Sequence, residues 1–190
     1  MSAEGAPASA APSLYQRALG ASYARLPAAV QHFHALRGHT VLQGWVETEA
    51  PGSAWAWLLA MTLGTPRRAT RGALRFELHS TPEAERWTRH FPARTMCSTL
   101  RLVDGRIVER LGATRLTFRL GAEPTTLRMS LTSLRFLGLP CPRWLLPQVV
   151  AEESGGDGQL HFRVSATLPL IGQVAGYRGH LDLPRKEAAP

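Results

Sequence analysis

LRLVDGRIVERLGATRLTFRL, residues 100–120, alternates apolar and polar side chains almost throughout and is interrupted by two short turn signals. Asp104-Gly105 is the strongest two-residue hairpin signal, since a type I′ turn needs residues that tolerate positive φ. It pairs Val103 with Arg106, Leu102 with Ile107 and Leu100 with Glu109. A tight turn at Gly112-Ala113 carries the register onward and sets Glu109 opposite Leu116 and Ile107 opposite Phe118. A four-residue loop at Gly121 to Pro124 then sets Phe118 opposite Leu127 and Leu116 opposite Met129. One face of the resulting sheet collects Met96, Leu100, Leu102, Ile107, Leu111, Leu116, Phe118, Leu120, Leu127, Met129 and Leu131. The other collects Arg101, Arg106, Arg110, Arg115, Arg119 and Arg128. Such a division is the pattern of a half-buried antiparallel sheet.

The same period of two recurs along most of the chain. It places strands near residues 40–49, 72–80, 84–91, 94–103, 106–112, 114–121, 125–137, 148–153, 159–168 and 173–182. Short strands joined by turns, with no βαβ rhythm, predict a mainly β domain: an antiparallel β-barrel or strongly curved sheet of about ten strands. Residues 13–36 read as two short helices. Ser13 can cap the first, Gly20 can end it, and Pro27 suits the first turn of the second, where Leu26, Val30 and Phe33 form an apolar stripe with His34 at its edge. A third helix follows Ser53 and runs to Gly64. Its sequence, AWAWLLAMTL, is apolar almost all round. Packing against the barrel is the expected role. Peripheral membrane contact through this helix and Arg67, Arg68 and Arg71 is the alternative, disfavoured because a helix on a bilayer normally keeps a polar face. Residues 1–12 and 184–190 read as tails, and 13–183 as a single domain.

Composition narrows the functional classes. The chain is 44% hydrophobic, long enough for one core, and its longest apolar run is about half of what spans a bilayer. No secretory signal pattern opens the sequence, so a cytoplasmic protein is expected. The net charge of +8 arises from Arg scattered over many strands, with Lys186 the one lysine. Without a recognition motif or a basic cluster this does not favour nucleic acid. Cys97 and Cys141 stand far apart without metal-ligand spacing, and His32 and His34 point to opposite sides of a helix, so no metal is expected. With no P-loop, G-x-G-x-x-G or nucleophile elbow, no cofactor is expected either.

Glu109 breaks the apolar face, between Ile107 and Leu111 on its strand and Leu100 and Leu116 on its neighbours. A carboxylate there needs a partner, a hydrogen bond or a proton. The stretch AERWTRHF, residues 84–91, offers one: with Trp87 and Phe91 inward, Glu85 and Arg89 face inward as well. Arg89 between two rings can aim its guanidinium at Glu109, with Glu85 positioning Arg89. His34 and Tyr177 are weaker candidates. Two readings stand side by side: a buried ion pair that fixes register, or polar groups that orient a small, largely apolar ligand in a barrel cavity. On the same scaffold Glu109 could instead serve as a general acid or base, or the barrel could be a solid interaction module.

RLPAAVQHFH at 25–34, ERWTRHF at 85–91, RIVERLG at 106–112, LGLPCPRWLLP at 137–147 and LPLIGQVAGYRGHL at 168–181 together resemble a bacterial domain family of unknown function, number 4166. The resemblance implies no activity and no catalytic residues. Some members look fused behind an NAD(P)-binding domain similar to saccharopine dehydrogenase, which implies a separate oxidoreductase as a partner of this chain.

Overall fold

The structure, a computed structural model, describes residues 11–156 and 158–185, so the expected tails lie largely outside the described residues. The strands are β1 (Gly38–Glu49), β2 (Thr70–Ser80), β3 (Ala84–Phe91), β4 (Arg94–Val103), β5 (Arg106–Leu111), β6 (Thr114–Ala122), β7 (Leu127–Phe136), β8 (Leu139–Pro140), β9 (Gln148–Gly156), β10 (Gln159–Leu168) and β11 (Gly172–Asp182). They pair antiparallel in the order β6-β5-β4-β3-β2-β1-β11-β10-β9-β7, and β7 returns to β6. The result is a closed barrel of ten strands with β8 as an extra strand beside β7. Closure removes the exposed sheet edges that would otherwise invite pairing with another chain.

The hairpin at Asp104-Gly105 has positive φ at both residues, 49° and 71°, as a type I′ turn demands. Leu100 lies opposite Glu109 and Glu109 opposite Leu116, the expected registers. The next hairpin differs. β6 continues to Ala122, and the loop is closed by Glu123 N–H donating to the Thr126 carbonyl and Thr126 N–H donating to that of Glu123. Phe118 therefore faces Leu131 and Leu116 faces Leu134, not Leu127 and Met129. For Phe118 the displacement is an even number of residues, which leaves the inward face unchanged. A bulge between Thr117 and Phe118 then lets both Leu131 and Leu134 turn toward the interior.

Helices close the two ends. Ser13 caps α1 (Leu14–Leu19), accepting from Gln16 N–H, and Gly20 ends it; an unexpected 3₁₀ turn, Gly20–Arg25, leads to α2 (Ala28–Ala35). α1 and α2 pack at the end where β4 meets β5, sending Tyr15, Val30 and Phe33 into the main core. At the other end Ser53 caps α3 (Ala54–Leu63), which stops at Gly64 in the left-handed region. α3 sits on β11 through Ala56 and Ala60, against Leu168 and Val174. It is thus attached to the barrel as expected, yet Trp55, Trp57, Leu58 and Met61 on its other side are exposed. No helix among the described residues is long and apolar enough to cross a membrane.

Candidate functional site

A cavity of about 390 Å³ fills the barrel between the helical plug and the α3 end, within the ordinary range of small-molecule sites. Its walls are the inward residues of the alternating strands, among them Met96, Leu111, Leu116, Phe118, Met129 and Val164. Leu59, Thr62 and Leu63 of α3 and residues of the 136–147 segment roof it. Arg89, Glu109, Glu153, Trp87 and Tyr177 are among the residues with polar atoms that line it, together with Thr65 and Thr114.

Arg89 is 8% exposed, and its position follows from the alternation of β3. Nη1 donates to Ser98 Oγ on the adjoining strand at 3.1 Å. Nη2 stands 4.0 Å from Glu109 Oε1, too far for a hydrogen bond. The guanidinium lies 5.0 Å from the Trp87 ring centroid and 5.8 Å from that of Phe76. Phe76, not Phe91, is the second ring. It is Arg89's direct cross-strand neighbour on β2, and such neighbours are closer than same-strand residues two apart. Phe91 instead packs on Tyr177, 5.3 Å between centroids, and is absent from the walls of the large cavity.

Glu85 is likewise inward, but it does not position Arg89. Its Oε2 accepts from Trp87 Nε1 at 3.0 Å, a same-face reach along one strand. Burial pushes its carboxyl above the ordinary range, opposed by the His34 charge and by the Trp87 hydrogen bond. Burial also raises the Tyr177 hydroxyl, against the nearby Arg89 charge.

His34 is fully buried, stacked on Tyr15 with ring centroids 3.6 Å apart, not at a helix edge. Its Nε2 lies 2.6 Å from Glu153 Oε2, and its Nδ1 has no partner. The short contact makes His34 and Glu153 a buried hydrogen-bonded pair that ties α2 to β9. His34 and Glu85 stand behind the cavity wall and brace Glu153 and Trp87. Glu153, Tyr15, Ser98 and Phe76 escaped the sequence reading. Glu153 carried the same signal as Glu109, a carboxylate in phase with apolar Val149 and Ala151 on β9. Among the described residues no group of three or more His, Cys, Asp or Glu could hold a metal ion, and Cys97 and Cys141 are free thiols.

Residues 26–181 match the family described as Domain of unknown function (DUF4166). The chain belongs to this family. The DUF4166 match begins after α1 and ends in β11, so it takes in the entire cavity wall while leaving out Tyr15. No curated protein matches the chain. Among solved structures it is similar to "Crystal Structure of Rv2717c from M. tuberculosis", with a TM-score of 0.45 and 10% identity over 84% of this chain and 99% of that one. So distant a likeness bears on neither site nor function.

Proposed function

We propose that this DUF4166 domain is a non-catalytic binding protein that holds a small, largely apolar molecule bearing a neutral polar end, a hydroxyl or an amide. The observation that carries the reading is the 4.0 Å separation of Arg89 Nη2 and Glu109 Oε1, too long for a direct hydrogen bond, at the side of an apolar cavity. A hydroxyl placed between them accepts from the guanidinium and donates to the carboxylate, completing both. A carboxylate ligand would satisfy Arg89 but meet Glu109 beside it, in a cavity that Glu153 also lines and where like charges repel strongly. An ammonium would face Arg89. The volume equals roughly a dozen water molecules, enough for a ligand of about that many heavy atoms. The cavity also argues against the solid interaction module, whose barrel would be packed full.

The first test is native mass spectrometry of protein purified from its own host, with solvent extraction of anything retained, followed by titration with 1-decanol and with decanoate. An alcohol, phenol, ketone or amide carried along, and decanol bound at least tenfold more tightly than decanoate, is the expected result. Equal or tighter binding of decanoate would sink the neutral-end reading; no binding of either, together with a clean apo mass after incubation in host lipid extract, would sink the binding function itself.

A further inference from the structure

The two ends of the barrel differ in charge. The helices and connections at the plug end are balanced, with Arg17, Arg25 and Arg37 against Glu83, Asp104 and Glu123. Those at the roofed end, residues 50–69, 92–93, 112–113, 137–147 and 169–171, contain no acidic residue and carry Arg67, Arg68 and Arg143. The same end displays an apolar surface. Trp55 and Trp144 are 70% and 73% exposed, with exposed Trp57, Leu58 and Met61 also on α3 and exposed Leu139 on β8, in the same 137–147 connection as Trp144.

Two further residues there are conformationally costly. Leu137 and Leu170 have φ of 51° and 64°, and both side chains stand in solvent. Glycine or asparagine would hold a left-handed position at less cost, so nothing in the isolated fold favours leucine at either. Next to this surface is a cleft of about 190 Å³ lined by Trp57, Arg67, Arg68 and Arg94 with no carboxylate. Arg67 stacks on Trp57 at 4.9 Å, and Arg94 is held by donating to the Gly64 carbonyl at 2.7 Å. None of these arginines, nor Arg143, is in a salt bridge among the described residues.

We propose that the roofed end of the barrel docks on an anionic phospholipid bilayer, inserting Trp55, Met61, Leu137, Trp144 and Leu170 to the headgroup level and taking a lipid phosphate in the Arg67–Arg68–Arg94 cleft. The all-round apolar character of α3 then has an explanation. One face is covered by the barrel and the other by the bilayer, with tryptophans at the interface they favour. Helices on membranes keep a polar face because water covers it, and α3 has no face left to water. Basic residues around an apolar wedge are the charge complement of an anionic leaflet. Docking here sets the α3 and 136–147 roof of the cavity against the lipid interface, the source or destination of an apolar ligand.

Co-sedimentation of the full chain with phosphatidylcholine vesicles, with and without about a third phosphatidylglycerol, tests the proposal. Binding to the anionic vesicles alone is expected, with a blue shift of tryptophan emission and at least tenfold weakening in Arg67→Glu/Arg68→Glu. The Leu137→Gly/Leu170→Gly variant should bind several-fold less while melting no lower than the parent, which separates docking from folding. Three results would overturn the proposal: no binding at any anionic fraction; equal loss on reversing Arg101 and Arg119 on the barrel wall toward the plug end, which marks unspecific adsorption; or self-association that the glycine variant abolishes, which assigns the surface to a second copy. The outcome is independent of the decanol titration, since docking is read without ligand.

Discussion

The side chains behind the cavity wall set the protein's response to pH. Glu85 has a carboxyl pushed above the ordinary range by burial, so folding favours its protonated form. Its contribution to stability is complete below the unfolded-state value and is lost as pH rises through the folded-state value. Glu85→Gln keeps an acceptor for Trp87 Nε1 and cannot ionise. We therefore expect the variant to melt at a higher temperature than the parent at pH 7–8 and to lose that advantage near pH 4, as thermal unfolding across that range would show. His34 and Glu153 form a tight buried pair on which Tyr15 stacks. His34→Phe leaves the carboxylate unpartnered and should cost about 1–3 kcal/mol. Adding Glu153→Leu should recover much of that loss, so chemical denaturation of both single variants and the double variant would show strong non-additivity. Additive effects would mean that the pair is not coupled.

Among the elements, β1 and β11 meet at a seam that leaves no room for a side chain at two glycines. A Cβ built on Gly44 would lie 2.0 Å from the His180 carbonyl oxygen, and one on Gly179 would lie 2.0 Å from that of Trp45. Neither neighbour is a flexible side chain; both are ladder backbone, so the strands must separate to admit a methyl group. Gly179→Ala should therefore destabilise the domain by about 2–4 kcal/mol, within the range of severe single substitutions. Urea unfolding measures this, and a change under about 0.5 kcal/mol, the size of a neutral surface substitution, would show that the seam yields. The strands themselves were almost entirely legible, because alternation of Leu and Arg along residues 100–120 leaves one arrangement that buries the leucines. What escaped was the β6–β7 register. Gly121 and Ala122 looked like loop yet extend the strand, and a bulge adds a residue that no periodicity announces.

For the molecule as a whole, the decisive feature is that the barrel is wider than its side chains can fill. Ala166 lines the cavity from β10, facing Ala175 on β11. Ala166→Phe should occupy part of the space and weaken decanol binding at least tenfold, with thermal stability unchanged or raised because apolar surface is covered. Undiminished binding would place the ligand elsewhere.

The sequence by itself determined the strand faces, the Asp104-Gly105 hairpin, the helix caps at Ser13 and Ser53, and the conflict posed by Glu109, since each follows from neighbours within one or two strands. Only the tertiary structure decided which groups meet. Arg89 found Ser98 and Phe76, Glu85 turned to Trp87, and His34 crossed from α2 to Glu153 on β9. Those meetings depend on how a twisted sheet closes and where its end helices settle, and contacts spanning more than a hundred residues leave no periodic trace in the chain.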